Sequence, residues 1–174
     1  NRATLNCLIV MEVHNLDILD SMNKTQHNKQ FEWQKHIRYY SESEDIYVDC
    51  MLTHFPYGYE YLGSVSRLVA TPLTDRCYIT LMGALKLGIG GASYGPPGTG
   101  KTETTKDLSK ILAKQCVVLN CSASMDYLMI GKFFRGLAGS GAWTCLDEFN
   151  RINPEVLSVL AEQLSYYFSA KARK

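Results

Sequence analysis

The chain has 174 residues, 46% hydrophobic and 20% charged, enough to bury the core of one domain and part of another. Its formal net charge of +1 gives no electrostatic reason to expect nucleic acid or an anionic membrane as a partner. No apolar run approaches the roughly 20 residues that span a bilayer, and no signal peptide is recognisable. The chain lacks an initiator Met and ends just after a helical pattern, which predicts a globular segment of a longer protein.

The six cysteines form no C-x-x-C pair and lie mostly in apolar segments. We therefore predict reduced core thiols rather than disulfides or a metal cluster.

The first 45 residues are predicted to be mainly helical. Apolar residues in 5–22 recur with approximately helical spacing, although part of this stretch could also form a buried strand. The polar stretch 21–30 indicates a connection. Residues 31–40 form an aromatic amphipathic piece, for which a packing face is favoured over a base-stacking platform because the chain has no basic excess. The acidic run 41–45 predicts a boundary.

The next part of the chain is predicted to contain short strands and then a helix. Residue composition predicts a strand over 46–52, an irregular hairpin over 57–63 and a short apolar strand over 68–70. Thr71 suits a helix N-cap, and leucines and a cysteine at four-residue intervals predict a helix to about Leu87.

Residues 95–102 carry the clearest motif, because their sequence GPPGTGKT matches every fixed position of the phosphate-binding pattern G-x-x-x-x-G-K-[ST]. Helix-forming residues follow it. Gly98 and Gly100 can adopt positive φ, which lets backbone N–H groups approach a triphosphate. Lys101 is predicted to reach the β- and γ-phosphates, and Thr102 to ligate Mg²⁺. We predict a P-loop rather than a chance turn. The predicted nucleotide-binding residues here are Gly95, Pro96, Pro97, Gly98, Thr99, Gly100, Lys101, Thr102 and Glu103.

Two apolar runs after the P-loop helix, at 116–119 and 142–146, predict parallel strands buried on both faces. A helix is predicted between them over 125–137, so the fold class is α/β. The second strand ends in Asp147-Glu148, the Walker B arrangement. We predict that Asp147 holds Mg²⁺ and that Glu148 is the catalytic base that polarises the attacking water. A glutamate next to this aspartate favours an ATPase over a GTPase.

Several stretches of the sequence resemble the first AAA+ module of a dynein heavy chain. Their residues are more similar to those of axonemal than of cytoplasmic dyneins. Upstream residues also resemble the end of the dynein linker. The matching stretches are TPLTDRCY at 71–78, GPPGTGKTETTKD at 95–107, CVVLNCS at 116–122, Asp126-Tyr127, GAWTCLDEFNRI at 141–152, EVLSV at 155–159, and, for the linker, Phe31-Glu32-Trp33 and Arg38-Tyr39-Tyr40.

The resemblance implies a P-loop NTPase fold of the AAA+ type, with a partial parallel sheet flanked by helices and preceded by a mainly helical linker segment. It implies that 1–45 is the C-terminal part of a linker domain and 46–174 the N-terminal part of the AAA+ module. The family sheet has the order 5-1-4-3-2, and strands four and five would follow this segment. The segment alone is therefore expected to be inactive, without the sensor residue and the neighbouring module's arginine.

The resemblance also assigns further site residues. Asn120 matches the position whose side chain can hold the catalytic Glu148 inactive until a neighbour engages. Pro97 stands where dyneins usually have Ala, but other AAA+ proteins carry Pro-Pro there. Residues 122–125 also depart from the family pattern. The residues implied to lie near adenine are Leu68, Val69, Pro72 and Leu73.

The implied function is ATP turnover with Mg²⁺ that drives linker movement and microtubule release. The implied partners are ATP or ADP, neighbouring AAA+ modules of the same chain, dynein intermediate and light chains, and microtubules through parts of the chain outside this segment. The implied location is the cytoplasm and cytoskeleton, in the ciliary axoneme. The alternatives are a nucleotide-binding structural module without turnover and another AAA+ ATPase.

Overall fold

The first helix, α1 (Arg2–Lys24), confirms the helical interpretation of the apolar spacing near the N-terminus. The computed structural model describes residues 1–24 and 31–172, so most of the predicted connection, at 25–30, lies outside the described residues. A short helix, α2 (Phe31–Gln34), comes next. The chain divides into two compact units, Asn1–Lys114 and Gln115–Lys174, and each is treated by itself.

The first unit contains an antiparallel sheet in the order β1-β2-β3, formed by Arg38–Glu42, Asp45–Cys50 and Thr53–Pro56. The predicted strand over 46–52 is confirmed as β2. The aromatic piece before it does not continue as one amphipathic element, because its last residues form β1 and pair with β2. The acidic run contains the tight turn between these two strands, where Ser43 has a φ of 59°. The predicted domain boundary at 45/46 thus falls at the start of a paired strand, and it stays a prediction.

Residues 57–71 form neither the predicted hairpin nor the predicted strand over 68–70. Their amides bond to the helix α4 (Lys101–Ile111) and the turn that follows it. Gly58 N donates to Leu112 O over 2.8 Å, and Glu60 N donates to Ala113 O over 3.0 Å. A Cβ at Gly58 would lie 2.3 Å from the Ala113 carbonyl oxygen, so this close approach requires glycine.

Helix α3 (Pro72–Lys86) begins and ends as its sequence predicts. Thr71 is the N-cap, and its side chain and that of Thr74 form a capping box with each other's backbone N–H groups. After the C-cap, Gly88 has a φ of 74°, which favours glycine. The buried apolar residues of this unit are Val48, Cys50, Tyr78, Met82, Leu108, Ile111, Leu112 and Ala113.

In chain order, the second unit consists of β4 (Cys116–Asn120), α5 (Tyr127–Ser140) and β5 (Trp143–Asp147). The two strands pair directly with each other and are parallel. Both strands and the helix confirm the prediction of alternating elements. A 3₁₀ turn (Phe149–Arg151) leads into α6 (Pro154–Ala172). The unit is thus a mixed structure with a small parallel sheet. Its buried core consists of Cys121, Met125, Ile130, Phe134, Ile152 and Leu160.

Within the described residues, no helix is both long enough and apolar enough to cross a membrane. All six cysteines lie in described residues, and none forms a disulfide; Cys50 and Cys121 are buried.

Candidate functional site

The P-loop lies between α3 and α4, in a stretch without regular secondary structure. Gly98 has a φ of 77° and Gly100 a φ of 80°, so both glycines adopt the left-handed conformation predicted for them. The Thr99 hydroxyl donates to Pro96 O over 2.9 Å, which closes the turn between them. The loop therefore has the backbone conformation that only glycine adopts without strain at these two points.

The Lys101 side chain folds back over the loop. Its ammonium donates to Gly95 O over 3.0 Å and to Pro96 O over 2.6 Å, and Thr99 Oγ1 lies 3.5 Å away. These contacts place the cation at the mouth of the loop. A lysine here acts on phosphate oxygens as a point charge with rotatable donors.

Helix α4 starts at Lys101, directly after the loop, and its N-cap is Gly100, which has no side chain to cap the first turn. The first-turn N–H groups and the positive end of the helix dipole suit an anion at this position. Thr102 is the second residue of the helix, so its hydroxyl belongs to the first turn after the loop. Glu103 forms a surface ion pair with Lys106 over 2.6 Å.

The residues assigned to the adenine lie in the chain that enters α3. Pro72 is the first residue of this helix and Leu73 the second. Val69 and Leu73 are 57% and 69% exposed, and both side chains are accessible to a ligand. Leu68 is fixed through its backbone, whose N–H donates to Asp107 Oδ1 over 3.1 Å.

Asp107, which the sequence analysis did not single out, has a 1% exposed carboxylate at the centre of a buried polar cluster. It accepts from Arg67 Nε over 2.9 Å and from the Tyr78 hydroxyl over 2.9 Å. Burial alone would lower the pKa of Arg67, but the hydrogen bond and the charge of Asp107 raise it. Burial, followed by the Asp107 charge, raises the pKa of Tyr78. The ion pair is therefore maintained, and the phenol stays protonated.

A sequence signal for this cluster exists. Asp107 stands four residues before Ile111, so the two share one face of α4, and Ile111 is a core residue. A carboxylate on the apolar face of a helix requires a buried partner. Arg67, the partner, directly precedes the apolar residues 68–70, for which a strand was predicted.

The second half of the predicted site lies at the carboxyl end of the parallel sheet. Asp147 is the last residue of β5, and its Oδ1 accepts from the Glu148 backbone N–H over 3.0 Å. Glu148 has a φ of 53°, and its carboxylate pairs with Arg151 Nε over 3.3 Å. Because both of these side chains are largely exposed, the pair contributes little energy and does not lock the glutamate.

Asn120 lies beside this pair. The strand register places Asn120 opposite Asp147, and Cys121 N donates to Asp147 O over 2.9 Å. Parallel strands present their carboxyl ends at the same edge of a sheet, so Asn120 and the Asp147-Glu148 pair share that edge. The structure brings these three residues together in the second unit, whereas the P-loop and the adenine-side residues both belong to the first unit without a described contact between them.

The predicted metal-binding residues, Thr102 and Asp147, offer oxygen atoms of the type that Mg²⁺ prefers. Among residues 1–24 and 31–172, no group of three or more His, Cys, Asp or Glu side chains is arranged to hold a metal ion. Mg²⁺ usually takes one or two carboxylates together with substrate phosphates. Asp147, in the second unit, is a carboxylate of this type, and Thr102, in the first unit, carries a hydroxyl oxygen.

Residues 57–174 match the protein family described as "Hydrolytic ATP binding site of dynein motor region". The chain belongs to this family. It is 56% identical to "Dynein axonemal heavy chain 3" of Homo sapiens over 175 residues, which cover 99% of this chain and 4% of that protein. It is 55% identical to "Dynein axonemal heavy chain 6" of Homo sapiens over 178 residues, which cover 100% of this chain and 4% of that protein. It is 56% identical to "Dynein axonemal heavy chain 12" of Mus musculus over 165 residues, which cover 94% of this chain and 5% of that protein.

These similarities confirm the resemblance to dynein heavy chains that the motifs indicated, including the axonemal type. The family match begins at Tyr57, so the sheet β1-β2-β3 precedes the matched region. This chain spans about 4–5% of the length of these relatives.

Proposed function

We propose that this segment is the ATP-binding part of the first AAA+ module of a dynein-type motor, and that the full-length protein hydrolyses ATP at this site. The observation that carries the proposal is the P-loop of a dynein family member, with Gly98 and Gly100 left-handed and with Gly100, which has no capping side chain, as the N-cap of α4. This is the conformation that a triphosphate requires of a backbone cradle.

Each residue would have a distinct role in turnover. The loop N–H groups and Lys101 would bind the β- and γ-phosphates, and Thr102 with Asp147 would hold Mg²⁺. The metal would neutralise charge that develops on the phosphates. Glu148 would accept a proton from the attacking water, and Asn120, which lies at the same sheet edge, would restrain Glu148 between turnovers. Leu68, Val69, Pro72 and Leu73 would contact the adenine.

The larger assembly follows from the family. We propose a linker end in residues 1–45 and an AAA+ module that starts at 46, whose sheet has the order 5-1-4-3-2. The parallel pairing of β4 with β5 supports strands two and three of that order. ATP turnover would move the linker and release the microtubule. Neighbouring AAA+ modules, intermediate chains and light chains would be partners, and the ciliary axoneme would be the location, without nucleic acid or membrane.

The test of the proposal is Glu148→Gln in the full-length protein. The amide keeps the size of the side chain but cannot accept the proton, so ATP should bind normally while turnover falls by about 100- to 10,000-fold. Turnover and binding are measured by phosphate release and by a fluorescent-nucleotide titration.

Glu162→Gln is the matched control, because Glu162 is an exposed residue of α6 and the substitution makes the same chemical change. Unchanged turnover in Glu148→Gln would remove Glu148 from the role. Binding without turnover in the unmodified protein would instead support the structural nucleotide-binding module. Turnover that microtubules do not stimulate would support another type of AAA+ ATPase.

Thr102→Ala should weaken binding of ATP with Mg²⁺ by roughly tenfold, or about 1.4 kcal/mol, because the metal loses a hydroxyl ligand. Binding measured in EDTA should stay nearly the same. Thr80→Ala is the control, since the Thr80 hydroxyl donates to a carbonyl of its own helix, Arg76 O, over 2.8 Å. An equal loss of affinity with and without Mg²⁺ would contradict the metal role.

A further inference from the structure

The carboxylate of Asp107 joins three parts of the first unit through four hydrogen bonds. Oδ1 accepts from Arg67 Nε over 2.9 Å and from Leu68 N over 3.1 Å. Oδ2 accepts from Arg67 Nη2 over 3.4 Å and from the Tyr78 hydroxyl over 2.9 Å. Buried charge-assisted bonds of this kind are stronger than neutral ones, and one carboxylate thus ties the chain before α3, α3 itself and α4 together.

Among the described hydrogen bonds between the chain before α3 and α4 or its following turn, those of Asp107 lie nearest to the P-loop in sequence. The chain after β3 is held to the turn after α4 through Glu60 N and Ala113 O, over 3.0 Å, and to the helix through Lys110 Nζ and Ser66 O, over 2.8 Å. Asp107 continues this series towards the loop. It follows Lys101 by six residues in one helix, which places it about 9 Å along the helix axis from the start.

We propose that Asp107 is a positioning residue that sets the spacing between the adenine-side residues, 68–73, and the P-loop. This inference rests on the proposed function. The helix is rigid and carries Lys101 at its first position, while the carboxylate holds the backbone of Leu68. The spacing between base contacts and phosphate contacts therefore depends on this side chain, which holds Leu68 itself. Its loss should reduce the contribution of the base to binding and leave the phosphate contacts intact.

A cavity beside the cluster leaves room for the chain before α3 to move when the hydrogen bonds of Asp107 are lost. The cavity has a volume of about 70 Å³, and its lining includes Tyr39, Arg67, Leu68 and Asp107. Arg67 can therefore shift when Asp107 no longer holds it.

The experiment uses the full-length protein with Asp107→Asn, which keeps the side-chain size but removes the charge and one acceptor. Only turnover that Lys101→Ala abolishes is assigned to this site. The KM for ATP should rise by roughly 10- to 100-fold, the size of effect expected when a buried charge-assisted hydrogen bond is lost. Inhibition by inorganic tripolyphosphate, which carries phosphates and no base, should change by less than about twofold, because its contacts are with the P-loop alone.

Two further variants separate positioning from folding. Ser109→Ala is the matched control, because Ser109 is a buried polar residue of the same helix whose hydroxyl donates to Lys106 O over 2.7 Å. It should leave both constants unchanged. Tyr78→Phe removes one donor to Asp107 and keeps the ion pair, so it should raise the KM for ATP by about two- to tenfold, also without affecting tripolyphosphate.

Equal weakening of ATP and tripolyphosphate in Asp107→Asn would overturn the proposal, since it would show that Asp107 supports the P-loop helix in general. An unchanged KM for ATP would overturn it as well. If Asp107→Asn does not fold, the same comparison is made in Tyr78→Phe. A higher KM for ATP with unchanged inhibition by tripolyphosphate supports the proposal, and any other result overturns it. Turnover that Lys101→Ala does not reduce would instead count against the proposed function, so the two failures are distinguishable.

Discussion

Lys101→Ala should abolish measurable nucleotide binding at this site in the full-length protein. The ammonium is the cation at the mouth of the loop, where it donates to Gly95 O and Pro96 O. With a triphosphate bound, the same donors would exchange these carbonyls for phosphate oxygens. Hydrogen bonds that involve charged groups contribute about 1.5–3 kcal/mol each, and two of them correspond to a loss of at least 100-fold in affinity.

The substitution also acts on the loop before the nucleotide arrives. The Lys101 ammonium donates to both carbonyls, and alanine removes these two bonds while the Thr99 hydroxyl still donates to Pro96 O over 2.9 Å. The cradle would be less preorganised, so binding would also have to order it. Both effects lower the affinity.

The measurement is a fluorescent-nucleotide titration, with sites elsewhere in the protein subtracted by competition. Lys132→Ala is the matched control, because Lys132 is an exposed lysine on α5 and loses the same charge. Affinity at this site should be unchanged in that variant. Affinity like that of the unmodified protein in Lys101→Ala would show that the P-loop assignment is wrong.

The elements that the sequence predicted well are those defined by local chemistry. Thr71 and Pro72 fix the start of α3 through a capping box and a preset φ, and neither depends on distant contacts. The continuous apolar runs become the parallel strands β4 and β5, as predicted, but their residues are only half-buried and Asn120 is exposed, so the predicted burial on both faces is not observed. The conformations of Gly98 and Gly100 also follow from the local pattern.

The predictions that failed depended on where backbone amides find partners. Residues 68–70 have the composition of a strand, but the Leu68 amide bonds to the Asp107 carboxylate instead of a neighbouring strand. Residues 57–63 have the glycines of a hairpin, but the amides of Gly58 and Glu60 bond to carbonyls that follow α4. Composition identifies an apolar or turn-rich stretch, and only the tertiary structure identifies its acceptors.

The candidate site also contains residues that the sequence predicted and a residue that it did not. The P-loop and the Asp147-Glu148 pair are motifs with fixed spacing, so both were recognisable. Asp107 was missed because its partners, Arg67 and Tyr78, are 40 and 29 residues away in sequence. A buried carboxylate must have such partners, but their identity depends on the packing of α3 against α4.

The isolated 174-residue segment should have negligible ATP turnover. Among the described strands, β4 and β5 pair only with each other, and a two-stranded sheet is marginal in water on its own. In the proposed order 5-1-4-3-2, β5 is strand three, and strand four would lie between it and strand one, which the order would place before Gly95. Residues 88–100 contain no strand in the structure, so the strand that this order would place before Gly95 stays a prediction.

In the proposed mechanism, turnover requires a fixed separation between the phosphates that Lys101 would hold and the water that Glu148 would activate, and a small misplacement costs about 100-fold in rate. Lys101 belongs to the unit Asn1–Lys114 and Glu148 to the unit Gln115–Lys174. In the proposed order, strand four would connect the two through two rows of backbone hydrogen bonds. Phosphate release by the purified segment is compared with release by the full-length protein. Steady turnover by the segment that Glu148→Gln abolishes would contradict the prediction, because it would show that the 174 residues assemble a working site without that strand.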